Sequence, residues 1–290
     1  MVISQHIFQT MFRQFSLNIR GKLRVFDRPL VMGIVNVTPD SFYGRSRNYC
    51  DAEIISKVEQ MVEAGVDILD VGGYSSRPGA DDVCTDRELR RVEMGLGIIK
   101  KMAPDVMVSV DTFRSEVASA SVRGLGADII NDISGGTLDE MMPATVAELG
   151  VPYVLMHMRG NPATMQQHTE YNDVTADVIG ELSERVRVLR LAGVSDIILD
   201  PGFGFSKTTE QNYELMRNLG TFCEAFDEPL LVGVSRKSMI TKPLGITSDE
   251  ALNGTTVLNT LALASGASIL RVHDVKEAVE AVKLFTLTDN

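Results

Sequence analysis

This 290-residue chain has few of the features that mark secreted, membrane-spanning or nucleic-acid-binding proteins. Its three cysteines, Cys50, Cys84 and Cys223, lie far apart with no CxxC spacing. That argues against a disulfide framework or a cysteine zinc site, and the thiols read as structural or incidental. No apolar run approaches the roughly 20 residues of a membrane span, and residues 1–20 carry no signal-peptide core or cleavage site. A cytoplasmic location is the expectation. Lys and Arg number 28 against 39 Asp and Glu, giving a net charge of −11. Non-specific nucleic-acid binding needs a basic surface, so that class is excluded, whereas a local basic pocket for a small anion is not. No Pro/Ser-rich linker divides the chain, and no GxGxxG follows the first strand of a doubly wound sheet. A Ser-His-Asp order, a cysteine nucleophile and a clustered His/Asp metal motif are also missing, which argues against covalent hydrolase chemistry.

What is present is a repeat of eight short apolar runs, most of them ending in a polar or charged residue. Residues 31–37 carry Asn36. Residues 68–72 lead into Ser75-Ser76-Arg77-Pro78-Gly79. Residues 106–110 end at Asp111, 128–130 at Asn131-Asp132, 151–156 at His157 and 197–199 at Asp200. Residues 230–234 end at Ser235-Arg236-Lys237, and 269–272 carry Arg271 next to His273. Helical periodicity fills the gaps, predicting helices over 51–64, 88–102, 115–123, 141–149, 176–192, 210–219, 251–265 and 274–285. A glycine recurs where a helix gives way at once to a strand, at Gly65, Gly126, Gly193 and Gly266. This is the pattern of an α/β protein of the (β/α)8 TIM-barrel class, whose strand C-termini line one active-site mouth. Residues 17–25 alternate around Gly21 and read as a β-hairpin plugging the bottom of the barrel. The division is an N-terminal extension over 1–15, helical or not, and a single barrel domain over 16–290. Apolar residues of the last two helices (Val257, Leu258, Leu261, Leu263, Val279, Val282, Leu284, Phe285) suit either core or a subunit interface, core being the commoner explanation.

The chemistry follows from collecting the strand ends. Asp111 and Asp200, with Asn131, suit an edge that offers N–H beside NH2, such as a guanine-like heterocycle. Alternatively, the two carboxylates cap loops or pair with Lys237 or Arg236. Asn36, Arg271 and His273 come from strands that neighbour each other in a closed barrel, and an amide oxygen with Arg and His suits a diphosphate with a divalent metal. Lys237 could donate to a ring carbonyl or nitrogen, while Met158 and Phe205 could supply apolar contacts to a ring. His157 is ambiguous between a ligand and a satisfied polar group. Arg77, Arg236, Lys237 and Arg271 together read as a basic pocket inside an acidic protein.

At these residues the chain resembles the dihydropteroate synthase family of pterin-binding barrels. The resemblance rests on Gly33-Ile34-Val35-Asn36-Val37-Thr38-Pro39-Asp40-Ser41-Phe42, Ser75-Ser76-Arg77-Pro78-Gly79-Ala80, Val110-Asp111-Thr112, Asn131-Asp132-Ile133-Ser134-Gly135-Gly136 and Met156-His157-Met158. It continues through Asp200-Pro201-Gly202-Phe203-Gly204-Phe205, Ser235-Arg236-Lys237-Ser238 and Arg271-Val272-His273-Asp274-Val275. The segments run in family order over about residues 30–285. Two departures stand out: Tyr74 and Ser76 occupy positions where many members carry Glu and Thr, and Tyr43-Gly44-Arg45 stands where many place an acid.

The resemblance implies a usually dimeric barrel that joins p-aminobenzoate to 6-hydroxymethyl-7,8-dihydropterin diphosphate, releasing pyrophosphate, in folate biosynthesis. It implies a pterin site of Asp111, Asn131, Ile133, Met158, Asp200, Phe205 and Lys237. It implies a diphosphate site of Asn36, Ser76, Arg271 and His273, with Mg2+ on Asn36. The p-aminobenzoate site would comprise Phe42, Ser76, Arg77, Pro78, Phe205, Ser235 and Lys237, and the catalytic groups would be Asp111, Lys237, Arg271 and His273. The implied mechanism is dissociative, with the charge of Arg271 and His273 helping the diphosphate to leave. Competing readings are a folate-binding methyltransferase domain serving a corrinoid, and a non-catalytic pterin-binding barrel. The first has no need of the Ser235-Arg236-Lys237 element or the Arg271/His273 pair, and the second predicts erosion of the strand-end polar set.

Overall fold

The computed structural model describes residues 12–37, 47–74 and 83–288. Phe42, Ser76, Arg77 and Pro78, like the segment 1–11, lie outside these described residues. The chain opens with an antiparallel hairpin of β1 (Phe15–Ile19) and β2 (Lys22–Phe26), in which Ile19 faces Lys22 across the turn. Both turn residues, Arg20 (φ 54°) and Gly21 (φ 73°), are left-handed, the backbone that two-residue hairpins favour because it matches strand twist. Arg20 holds this unusual conformation with its guanidinium on Asp128 (2.8 and 3.0 Å) and on the carbonyls of Pro104 and Val106, both at 3.1 Å.

Eight parallel strands follow: β3 (Leu30–Asn36), β4 (Ile68–Gly72), β5 (Met107–Asp111), β6 (Ile129–Asp132), β7 (Tyr153–Met156), β8 (Ile197–Asp200), β9 (Leu231–Val232) and β10 (Ile269–Val272). They are ordered β8-β7-β6-β5-β4-β3-β10-β9. The sheet closes between β8 and β9, where Leu199 bridges Leu230 and its N–H donates to the Pro229 carbonyl at 2.9 Å. Around it run α1 (Arg47–Glu63), α2 (Thr85–Met102), α3 (Ser115–Arg123), α4 (Met142–Leu149), α5 (Val174–Ala192), α6 (Thr209–Arg217), α7 (Gly220–Ala225), α8 (Ser238–Leu244), α9 (Leu252–Ala264) and α10 (Val275–Thr288). The expected (β/α)8 barrel and its hairpin are therefore both present.

Side chains alternate across a strand, and the barrel uses that alternation twice. Outward residues such as Val31, Leu69, Val71, Val110, Ile130 and Leu155 join the helices in the larger core. Inward residues near the strand N-termini (Met32, Ile68, Met107, Ile129, Val154, Ile198, Leu231, Ile269) form a second core with Phe15, Leu17 and Ile19 of β1. The hairpin is thus the bottom plug that its alternation predicts. Two residues further along the same inward face stand Asp70, Ser109, Asn131, Asp200 and Arg271. One step of the pleat separates the plug from the polar interior.

The glycine steps behave as expected. Gly193 (φ 99°) ends α5 with its N–H on the Leu189 and Arg190 carbonyls, and Gly65, Gly126 and Gly266 are likewise left-handed. Several boundaries differ, among them the start of α1 at Arg47 and the end of α10 at Thr288. Helix α2 starts at Thr85, with Asp86 and Glu88 in its first turn, where acidic groups favour the helix dipole. The predicted 210–219 helix is α6, which closes on Asn218, and an additional short helix, α7, follows beyond the predicted span. The short α8 has no sequence signal, being 7 residues long with Pro243 inside. Of the apolar residues on α9 and α10, Leu258, Leu263, Val279 and Val282 are core, but Val257 (51%), Leu261 (44%) and Leu284 (65%) are exposed. Among the described residues no helix is long and apolar enough to cross a membrane.

Candidate active site

The strand ends converge on one mouth, and a residue that sequence reasoning passed over sits at its centre. Asp70, inside the β4 run, is fully buried. It accepts Arg271 Nε at 2.8 Å and Asn131 Nδ2 at 3.0 Å on Oδ2. Arg271 reaches on to Asp111, with Nη2 2.7 Å from Asp111 Oδ2. One guanidinium from β10 thus ties β4 and β5 together, while Asp70 directs the amide of Asn131. Burial raises the Asp111 carboxyl to about 7, although Arg271 pulls it down. Arg271 is held above its usual range by Asp70 and Asp111, which outweigh its own burial. The sequence signal for Asp70 was available: a carboxylate two residues after Ile68 on the inward face of an otherwise apolar strand.

Asp200, at the end of β8, is buried and accepts the Gly202 N–H on Oδ1 at 2.8 Å. Burial raises its pKa, opposed by Lys237 and the Gly202 N–H. The loop after β8 folds back so that the Phe203 carbonyl takes Lys237 Nζ at 2.5 Å, and the Phe205 ring lies 4.7 Å from that ammonium. Burial lowers Lys237 to about 8, against the pull of Asp200. Between these groups lies an apolar shelf of Ile133, Met156, Met158 and Met165, with Phe113 and Phe205 packed on it. Acids, an amide, a cation and a flat apolar surface therefore meet at one place, as a polar heterocycle requires.

The second group sits beside it. A side chain on Gly72 would stand 3.8 Å from Asn36 Oδ1 and 3.9 Å from Asp111 Oδ2, so the bare backbone leaves room between these two oxygens. Ser235 Oγ accepts the His273 N–H at 3.1 Å and lies 3.0 Å from His273 Nδ1. Where the Ser235 hydroxyl donates to Nδ1, the imidazole carries its proton on Nε2. Burial first, then Lys57 and Arg271, lower His273 to about 3. Burial therefore favours the neutral ring, against the expectation that His273 contributes charge, and leaves Arg271 as the fixed positive charge. Ser235, expected to meet p-aminobenzoate, is engaged with His273.

Arg236 does not join the basic pocket. Its backbone is left-handed (φ 57°), and its guanidinium turns to Asp274 at 2.9 and 2.6 Å. Pairing of Asp111 or Asp200 with Arg236 is thereby excluded. His157 is a satisfied structural group, between Lys207 Nζ on Nδ1 (3.0 Å) and Glu181 on Nε2 (3.1 Å). Tyr74, the departure at the root of the second loop, packs edge-on against Phe113 with centroids 5.0 Å apart. The Arg114 guanidinium lies 4.9 Å from the Phe113 ring centre and pairs with the buried Glu88. The aromatic ring thus fastens the loop root to the β5 end.

Among the described residues no group of three or more His, Cys, Asp or Glu could hold a metal. A protein-only cage is therefore not the fit to expect. Mg2+ commonly keeps waters and substrate phosphates around one or two protein oxygens, and the Asn36 amide oxygen beside the Gly72 gap suits that arrangement.

Comparison with known proteins agrees with this geometry. The model of the pterin binding enzyme family matches residues 32–273. The dihydropteroate synthase of Escherichia coli (strain K12) is 43% identical over 264 residues, covering 90% of this chain and 92% of that protein. The structure of Xanthomonas albilineans dihydropteroate synthase with 4-aminobenzoic acid superimposes with a TM-score of 0.86 at 37% identity, covering 95% of this chain and 98% of that one. That enzyme in complex with 7,8-dihydropteroate gives 0.83 at 35% identity, over 94% and 98% of the two chains.

Proposed function

Since the chain belongs to the pterin-binding enzyme family, as a dihydropteroate synthase, we propose that this mouth joins p-aminobenzoate to 6-hydroxymethyl-7,8-dihydropterin diphosphate in folate biosynthesis. The observation that carries the assignment of residues is the meeting of Asp111, Asn131, Asp200 and Lys237 around the Met158/Phe205 shelf. Asp200 and the amide of Asn131 match the donor-rich edge of the pterin, and Lys237 donates to its acceptors. Arg271 and the Nε2–H of His273 receive the diphosphate. Asn36 would hold Mg2+ through its amide oxygen. When bound, the ion supplies positive charge to the leaving diphosphate.

The chain offers no nucleophile, and none is needed. The methylene C–O bond breaks, and the diphosphate takes the electron pair. The dihydropterin ring spreads the resulting positive charge, which the Asp111 carboxylate offsets from below. The arylamine nitrogen then attacks the methylene carbon and loses a proton. The protein's share is fixed charge and orientation, which need no reorganisation at the moment of reaction. Phe42, Ser76, Arg77 and Pro78 are assigned to p-aminobenzoate by their family motif. The active unit is a homodimer, supported by the apolar residues that α9 and α10 leave exposed at Val257, Leu261 and Leu284.

Pyrophosphate release tests the reading. With the pterin diphosphate, p-aminobenzoate and Mg2+, release should be matched one for one by dihydropteroate. Pterin binding without release would return the chain to the methyltransferase or binding-only readings.

A further inference from the structure

Lys207 lies outside every role described so far, yet it is the most thoroughly enclosed cation of the mouth, 3% exposed. Its ammonium has three protons and three acceptors: His157 Nδ1 at 3.0 Å, the Gly202 carbonyl at 3.0 Å and the Phe205 carbonyl at 3.1 Å. His157 stands at the end of β7, and its Nε2 meets Glu181 Oε2 of α5 at 3.1 Å. Burial lowers Lys207 to about 7; in its protonated form it can only donate, so Nδ1 then accepts and Nε2–H donates to the carboxylate. Every donor in this Lys207–His157–Glu181 relay is matched.

The two carbonyls bracket a short segment of unusual backbone. Gly202 (φ 71°), Gly204 (φ 80°) and Ser206 (φ 47°) are all left-handed, the last without a glycine's freedom. At Gly202 a side chain would meet the His157 carbonyl at 2.0 Å, so only glycine allows the approach that Lys207 seals. Between the two sealed carbonyls lie Phe203, whose carbonyl seats Lys237, and Gly204, whose missing side chain leaves Lys237 Cδ room. Phe205 supplies the ring beside the Lys237 ammonium.

We propose that Lys207 is a positioning residue for this reaction: by binding the Gly202 and Phe205 carbonyls to His157, it holds the segment that seats Lys237 and the Phe205 ring. It touches no substrate and acts through the backbone. The inference rests on the assignment of Lys237 to the substrate site. Burying a charge is costly unless its hydrogen bonds are complete. Here they are complete, and they run to backbone that no apolar side chain could grip.

The test is a double-mutant cycle of Lys207→Met and Lys237→Met in the full-length enzyme, read as kcat and KM for both substrates. Thermal unfolding and circular dichroism of each variant verify the fold. Lys207→Met should lower kcat/KM about tenfold or more in the otherwise unaltered enzyme. On the Lys237→Met background it should cost about threefold or less, since only the Phe205 ring is left for it to position. Equal losses in both backgrounds would show a general structural role and overturn the proposal, as would full activity of Lys207→Met. If Lys237→Met itself retains full turnover, the site assignment fails instead, which separates the two ideas. Should Lys207→Met not fold, His157→Asn withdraws one acceptor and should show the same non-additivity; its full activity would sink the proposal.

Discussion

The two ends of the barrel are built from the same strands and obey opposite rules. At the N-terminal end Ile68, Met107, Ile129, Ile198 and Ile269 face inward under Phe15, Leu17 and Ile19 of the hairpin. Two residues later, about 7 Å along each strand, the same face carries Asp70, Ser109, Asn131, Asp200 and Arg271. The inward face of the closed end is apolar, and the buried carboxylate at its rim, Asp128, is already paired with Arg20 at 2.8 Å, so this end can be packed for stability alone. The open end holds Asp70, fully buried, with Oδ1 lacking any partner, next to Ser109 whose Oγ is equally unmatched. Unsatisfied buried groups are costly, so the mouth draws on stability that the plug and the outer core supply. The comparison teaches that function and stability are separated along a strand, by one pleat step, and not between domains.

The sharpest way to break that separation is Arg271→Met. It removes the one guanidinium that touches both Asp70 and Asp111. Steady-state assays should show kcat/KM down by about 10³. Differential scanning calorimetry should also show a loss of about 3–5 kcal/mol, because two buried carboxylates lose their partner. Leu17→Ala at the other end should cost about 2–5 kcal/mol, while kcat per folded molecule stays as it was. A fall in kcat at Leu17→Ala, measured well below its melting temperature, would mean that the two ends are coupled.

The mouth should also respond to pH in a way the plug does not. Asp111 must be ionised to offset the pterin cation, and burial holds it up near 7. Lys237 must be protonated to donate, and burial holds it down near 8. Activity therefore rises as pH climbs through about 7 and falls as it passes about 8, giving a narrow bell in kcat/KM to which Lys207, lowered by burial to about 7, adds on the alkaline side. Lys237→Arg keeps its charge at all these values, so whatever activity it retains should lose the Lys237 part of the alkaline limb only. An unchanged alkaline limb in that variant would assign it to another group.

How much of this was legible follows from where each signal resides. Asn36, Asp111, Asn131, Asp200 and Arg271 could be collected because each ends or interrupts an apolar run, and alternation says which way it points. The hairpin was legible from alternation around Gly21. Asp70 also interrupts an apolar run, but what it does there depends on Arg271, 201 residues away. Lys207 likewise takes its meaning from a distant group, its acceptor on His157 being 50 residues distant. The orientation of Arg236 follows from a left-handed backbone that no side-chain pattern announces. The neutrality of His273 follows from burial and from neighbouring cations on other elements. Local pattern carries direction along the chain, whereas charge balance exists only after closure.

The smallest effect on catalysis is expected from the outer wall, and it refines the comparison by adding a third region. Leu261 and Leu284 are exposed on α9 and α10, two helices that pack against each other. Neither residue has a part in the mouth. Surface changes of this kind shift the stability of a single protomer by about 0.5 kcal/mol or less. A double substitution, Leu261→Glu with Leu284→Glu, places four like charges across the two-fold interface of the proposed dimer, since each residue appears twice. Sedimentation velocity should then show the dimer converted to monomer, with kcat per protomer within about twofold of the parent. Retention of the dimer would move the interface to another face. Loss of kcat together with the dimer would show that the mouth depends on the partner, and the separation of function from stability would then extend only as far as the assembled pair.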